Sequence, residues 1–184
     1  MTTRWLPSSA RALLAMRGVD LGPIVRLVYR LQKPYVPDLT EEMCRQSVDH
    51  VVEKREVQYA ILTGVTLDVM AEEGRLDEPL GGVLRHDPDL YGIDEVLALS
   101  IVNVYGSIGL SNFGYLDQER PPELAQALPG GPGRVHTFLD DILAAIVAAA
   151  CARIAHQAAD IREGRVVAET GEAASHQSQP ESGG

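Results

Sequence analysis

Along this chain apolar residues recur three and four positions apart, the spacing of one helix face, and the strict alternation of a half-buried strand is almost absent. The pattern predicts an all-α protein. Pro7 and Ser8 open a short first helix that Gly18 stops. Leu21, Ile24, Val25, Val28 and Leu31 form a second stripe, ended before Pro34. Asp38 followed by Glu41 reads as the N-terminal cap of a long helix, with Met43, Val48, Val51 and Val52 on one face. Val57, Ile61, Val65 and Val69 carry the helical period on to Gly74, and a loop with Gly81, Gly82 and Pro88 follows.

Two later stretches are not amphipathic. DEVLALSIVNVYGSIGL (94–110) and HTFLDDILAAIVAAAC (136–151) are apolar on nearly every side, and a helix of that kind belongs inside a protein. The expected architecture is therefore multihelical, with two apolar helices at the centre and amphipathic helices wrapped around them. Pro121 and Pro122 open a short helix, PELAQAL, and PGGPG at 129–133 forms a loop before the second stretch. Past Glu163 the chain is rich in Glu, Ser, Gln, Gly and Ala, too polar to offset the entropy of ordering it. One domain over 1–163 and a disordered tail over 164–184 are expected.

Composition narrows the partners. With 184 residues, 45% of them hydrophobic, the chain can bury a core as one domain. Its net charge of −10 argues against nucleic acid and against adhesion to an anionic membrane, both of which call for a basic surface. The two cysteines, Cys44 and Cys151, make no disulfide framework or metal-ligand spacing and read as small core residues. The N-terminal segment lacks the apolar length of a signal peptide, and the apolar run from Ile142 to Ala152 falls short of the ~20 residues a bilayer needs. A cytoplasmic protein without transmembrane segments is expected, with self-association left open.

Each apolar stretch begins with a pair of acids, Asp94–Glu95 and Asp140–Asp141. Helix capping explains one acid per helix: Asp94 as an N-cap, and Thr137 with Asp140 as a capping box. It does not explain two neighbours, which point about 100° apart around the axis. In a buried helix at least one acid of each pair faces protein and needs a cation. A divalent ion such as Mg²⁺ takes carboxylate oxygens and leaves positions open for phosphate, so metal binding stands beside solvated capping as a reading of the pairs. Around them, His136 is a candidate general acid or phosphate contact, and Lys54 and Arg55 are candidate phosphate contacts. Asn103, Tyr105 and Asp117 are candidates to support or close the site. His50 and Glu53 have a helical metal-site spacing but lack a second such pair.

YGIDEVLALSIVNVYGSIGLSNFGYLD together with HTFLDDILAAIVAAA resembles the soluble, YutG-like branch of the phosphatidylglycerophosphatase A family, also called low-temperature requirement C proteins. The resemblance runs from about Met16 to Gln157 and includes KREVQYAILTG at 54–64. It implies a multihelical fold with one central helix, and hydrolysis of a lipid head-group phosphomonoester such as phosphatidylglycerophosphate with Mg²⁺. It also implies that Asp94, Glu95, Asp140 and Asp141 are the catalytic, metal-holding acids. Two motifs of the membrane-bound enzymes have no counterpart: the Thr/Gly/Ser-rich N-terminal segment, and Lys-Pro-x-Pro, in whose place GYLDQERPPE stands. Two rival readings remain. Glu53 and Glu56 in EKRE fit a Glu-x-x-Glu motif of all-α nucleotide pyrophosphohydrolases, and the other reading is a non-catalytic relative that keeps the fold as a metal-binding or structural module.

Overall fold

The structure, a computed structural model, describes residues 9–87 and 91–164; the expected tail therefore lies outside the described residues except for Gly164. Among the described residues there are helices and no strands, so the all-α expectation holds. Helix α1 (Ala10–Arg17) begins where Ser9 Oγ accepts from Ala12 N at 3.2 Å, and ends at Gly18, whose φ of 87° suits a residue without Cβ. Helix α2 (Leu21–Gln32) is capped by Asp20 and buries Ile24, Val25, Leu27 and Val28.

Helix α3 (Glu41–Glu53) corrects the expected cap. Thr40, not Asp38, supplies it, with Thr40 Oγ1 accepting from Met43 N at 3.2 Å. Met43 is 44% exposed, and the inward face is Cys44, Ser47, Val48, Val51 and Val52. Helix α4 (Arg55–Glu72) starts afresh after Lys54, whose φ and ψ of −66° and 129° are extended. A loop was expected next, yet Leu80–His86 form helix α5. Two contacts offset its glycines: Glu78 Oε2 accepts from Gly82 N at 2.8 Å, and Leu84 is fully buried.

The rest of the chain comprises α6 (Ile93–Val102), a 3₁₀ turn (Asn103–Tyr105), α7 (Gly106–Glu119), α8 (Pro122–Ala127) and α9 (Leu139–Arg162). Helix α9 is the hub. No residue from Ile142 to Ala152 is more than 3% exposed, and α2, α3, α4, α6, α7 and α8 all pack on it. Its alanines allow close approach, and so does Gly64 of α4. A Cβ built on Gly64 would lie 2.6 Å from Ile142 Cδ1 and 2.9 Å from Phe138 Cβ. Cys44 and Cys151 are buried free thiols, as expected.

The other apolar stretch is not a second hub. The 3₁₀ turn and Gly106, with φ of 75°, break it into two helices. Both ends of the broken stretch lie at the start of α9, where Asp94 of α6 and Arg120 after α7 share a cleft with Asp140. The stretch is thus a helical hairpin laid along α9. Helix α6 buries only Ala98, Ile101 and Val102, while Ile93 and Val96 are 54% and 59% exposed. By length and composition both 93–119 and α9 are apolar enough to cross a membrane. Helix α9, however, is enclosed by its own protein. The hairpin arms of 10 and 14 residues rise only ~15 and ~21 Å, short of the ~30 Å bilayer core.

Candidate active site at the helix entrances

What fixes the start of α9 comes from another helix. Asp68 of α4, fully buried, accepts from Phe138 N (3.1 Å) and Leu139 N (3.0 Å), satisfying two of the free N–H groups of the first turn. The expected Thr137–Asp140 capping box does not form, because Thr137 Oγ1 instead donates to Leu84 O at 2.7 Å. A buried ion pair secures the approach to the helix. Arg17 Nη1 donates to Glu72 Oε2 at 2.8 Å and Arg17 Nη2 to Val135 O at 2.6 Å, while Glu72 Oε1 accepts from Val135 N at 2.7 Å.

With the cap supplied by Asp68, Asp140 and Asp141 are free to line a cleft. They meet Asp94 and Glu95 there, in the first turn of α6, and Asp87, Gly92 and Arg120 complete the wall. Asp94 is not the N-cap of α6, because Gly92 with φ of 68° holds that position. Each pair has the same local geometry: Asp94 Oδ1 accepts from Glu95 N at 3.0 Å and Asp140 Oδ1 from Asp141 N at 2.9 Å. Among the described residues none of the four acids forms an ion pair with Lys or Arg. Burial pushes Asp140 up to about 6, with Asp87 and Asp94 adding to it and Arg120 opposing. Burial, then the charges of Asp140, Asp94, Asp117 and Glu95, push Asp141 up to about 8. A shallow groove of Leu116, Pro121, Leu124 and Ala144 adjoins the cleft, with Asp117, Arg120, Asp140 and Asp141 at the junction.

The other expected residues divide sharply. Asp117 is in this neighbourhood. His136 is not among the cleft residues: its Nε2 lies 2.9 Å from Pro129 O, and burial lowers its pKa beside Arg17 and Arg134. Lys54 and Arg55 sit at the opposite end of α4 from Asp68, ~20 Å along the axis, with Glu56 beside them. Asn103, expected to be buried, is exposed in the 3₁₀ turn, ~14 Å along the hairpin from Asp94. Tyr105 lies at that same far end, near Arg153 and Glu56. The break at Lys54 puts Glu53 and Glu56 on different helices, which removes the Glu-x-x-Glu motif of the pyrophosphohydrolase reading. His50 is exposed and joins no metal-binding group among the described residues.

Residues 12–156 match the family model of phosphatidylglycerophosphatase A, most of the chain and all of the cleft. The chain belongs to that family. It is similar to two uncharacterised proteins of Bacillus subtilis (strain 168). YutG is 54% identical over 153 residues, covering 83% of this chain and 92% of YutG. YpjQ is 50% identical over 151 residues, covering 82% and 85%. The crystal structure of the low temperature requirement C protein from Listeria monocytogenes superposes with a TM-score of 0.76 at 54% identity, over 82% of this chain and 95% of that one. The matched span thus includes the helices that build the cleft.

Three residues escaped the sequence reading. Asp68 carried a signal: it falls three positions after Val65 on the inward stripe of α4, a lone acid where an apolar residue was due. Asp87 and Arg120 carried none, because their left-handed backbones (φ 45° and 41°) turn the chain into the cleft in ways no periodicity marks.

Proposed function

We propose that this protein is a Mg²⁺-dependent cytoplasmic phosphatase acting on a phosphomonoester, phosphatidylglycerophosphate or a related lipid head-group phosphate. The observation that carries the reading is the convergence of two acid pairs, from the entrances of two helices distant in sequence, on one cleft without a paired cation. The donor set fits a hard divalent ion. All four groups offer carboxylate oxygen, and Mg²⁺ is commonly held by one or two carboxylates together with phosphate oxygens and water. That habit matters here, because no three acidic, His or Cys side chains among the described residues are already gathered as a cage. Asp140 and Asp141, the more buried pair, are the ligands proposed for the ion, with Asp94 and Glu95 facing them. Bound there, Mg²⁺ supplies charge neutralisation for the phosphate and a more acidic water.

The protein's own groups have separate parts. Arg120 is the cation on the cleft wall and is proposed to hold a phosphate oxygen. The first-turn N–H groups of α6 and α9 add positive partial charge at the cleft. The apolar groove beside Asp140 and Asp141 suits the part of the substrate beyond the phosphate. Turnover of phosphatidylglycerophosphate and of soluble phosphomonoesters, with Mg²⁺ and with chelator, tests the assignment. Asp94→Asn, Glu95→Gln, Asp140→Asn and Asp141→Asn are each expected to lower kcat on the order of 100-fold or more. Retention of wild-type turnover by all four variants would overturn it.

A further inference from the structure

The hairpin of α6 and α7 presents its least soluble surface outward. From Val96 to Leu116 there is no Asp, Glu, Lys or Arg, in a chain whose residues are 23% charged. Ile93, Val96, Val104, Ile108, Leu110 and Tyr115 are all exposed along it. If each would present ~150–200 Å² when fully free, their exposed fractions leave roughly 500 Å² of apolar side chain in water. That is at the upper end of what a monomer shows, roughly 300–600 Å² for its largest patch. Between these residues lie small ones. Ser107, Ser111 and Gly114 follow a helical spacing on α7, all are exposed, and a Cβ on Gly114 would meet nothing within 4 Å. Bulky residues flanking a small-residue furrow form a surface into which another helix packs closely.

We propose that this face is a self-association surface: two copies of the chain pair their α6–α7 hairpins about a twofold axis, forming a four-helix layer. Three features favour a second copy over other occupants. An uncharged surface is self-complementary, whereas a partner of opposite charge would find nothing to read on it. Along the face there is no Lys or Arg, the residues that hold a protein against an anionic bilayer beyond a transient contact. The area is also right. The apolar side chains, with the exposed Ser, Asn and Gly residues between them, approach the ~800 Å² per partner of a standard interface. The cleft lies at the end of this hairpin, so pairing along its length leaves the acid pairs at the edge of the dimer.

Sedimentation equilibrium of the full chain tests the proposal, the expected mass being twice the 19.9 kDa of one chain at micromolar concentration. Val96→Glu and Ile108→Glu place like charges across the axis and are expected to halve that mass with the circular dichroism unchanged. Gly114→Glu fills open space and adds helix propensity, so it keeps the test decisive should an apolar replacement misfold; it too is expected to be monomeric. A parent that sediments as one chain at tens of micromolar, or charged variants that stay dimeric, would overturn the proposal. Flotation of the parent with phosphatidylcholine–phosphatidylglycerol vesicles, lost in the same variants, would overturn it as well and assign the face to a lipid surface.

Discussion

Two stretches of this chain begin alike and end differently. Each opens on a pair of acids and continues into a run of Ile, Leu, Val and Ala. One becomes α9, enclosed on every side from Ile142 to Ala152. The other becomes the α6–α7 hairpin, packed on one side only. Composition does not separate them, and what does is local chemistry. Helix α9 is built on alanine, small enough for six other helices to press in around it, and it continues unbroken for 24 residues. The hairpin is broken at the 3₁₀ turn and Gly106 into arms of 10 and 14 residues, which fold back along one side of α9. The lesson is that an apolar run does not by itself announce enclosure: the same signal gives a buried axis in α9 and a half-exposed hairpin beside it.

The sharpest test of this contrast is truncation in each stretch. Leu143→Ala in α9 should cost about 2–5 kcal/mol, whereas Ile108→Ala on the outer hairpin face should change the monomer's stability by less than ~0.5 kcal/mol. Urea unfolding of the two variants, made in a Val96→Glu background so that association does not intervene, gives both numbers. Equal losses would mean that the hairpin is as much core as α9. The helix entrances differ next. Asp68→Ala strips the buried acceptor from Phe138 N and Leu139 N and should cost roughly 1–3 kcal/mol, whereas Asp94→Ala at the entrance of α6 removes a dipole contact of ~0.3–1 kcal/mol. A harmless Asp68→Ala would break the account of how α9 is started.

The smallest effect concerns the buried acid pair. Asp141 titrates at about 8 in the folded protein, above the usual 3.8. Below pH ~4 it is protonated both folded and unfolded; as pH rises toward 8 the unfolded chain ionises first, so the metal-free fold loses stability across that window. Asp141→Asn should flatten this loss and raise the Tm in chelator at pH 8 by roughly 2–4 °C, the scale of ~1 kcal/mol in a domain of this size. The same variant should lose part of the Mg²⁺-induced rise expected of the parent, about 2.7 kcal/mol at a hundredfold excess over Kd. A variant less stable than the parent in chelator would return Asp141 to the role of a simple dipole partner.

Several helices could be read from the sequence: α1, α2 and α8 are bounded by Ser, Gly, Asp or Pro, and α9 shows as an unbroken apolar run, whereas the break at Lys54 that separates α3 from α4 carries no such mark. The acid pairs were legible because two neighbouring charges are anomalous at the mouth of an apolar helix. What escaped was decided across the chain. Thr40 outcompetes Asp38 as a cap by one favourable extended backbone, and Thr137 is taken by Leu84 O, a partner 53 positions away. Lys54 and Arg55 look like a phosphate patch in one dimension, but the length of α4 carries them to the far end from the cleft.

The hub of this fold is also nearly the last part of it to be made. The helices that pack around α9 precede it in sequence, so a nascent chain exposes their apolar faces until residues 139–154 have left the ribosome. The bonds from Asp68 to Phe138 and Leu139 close loops of 70 and 71 positions. Such a topology folds late and all at once, because no earlier fragment contains both the ring and its axle. The acid cleft shares that timing: its second pair sits in the first turn of α9, so a chain that stops short of α9 has neither a core nor a complete acid cleft.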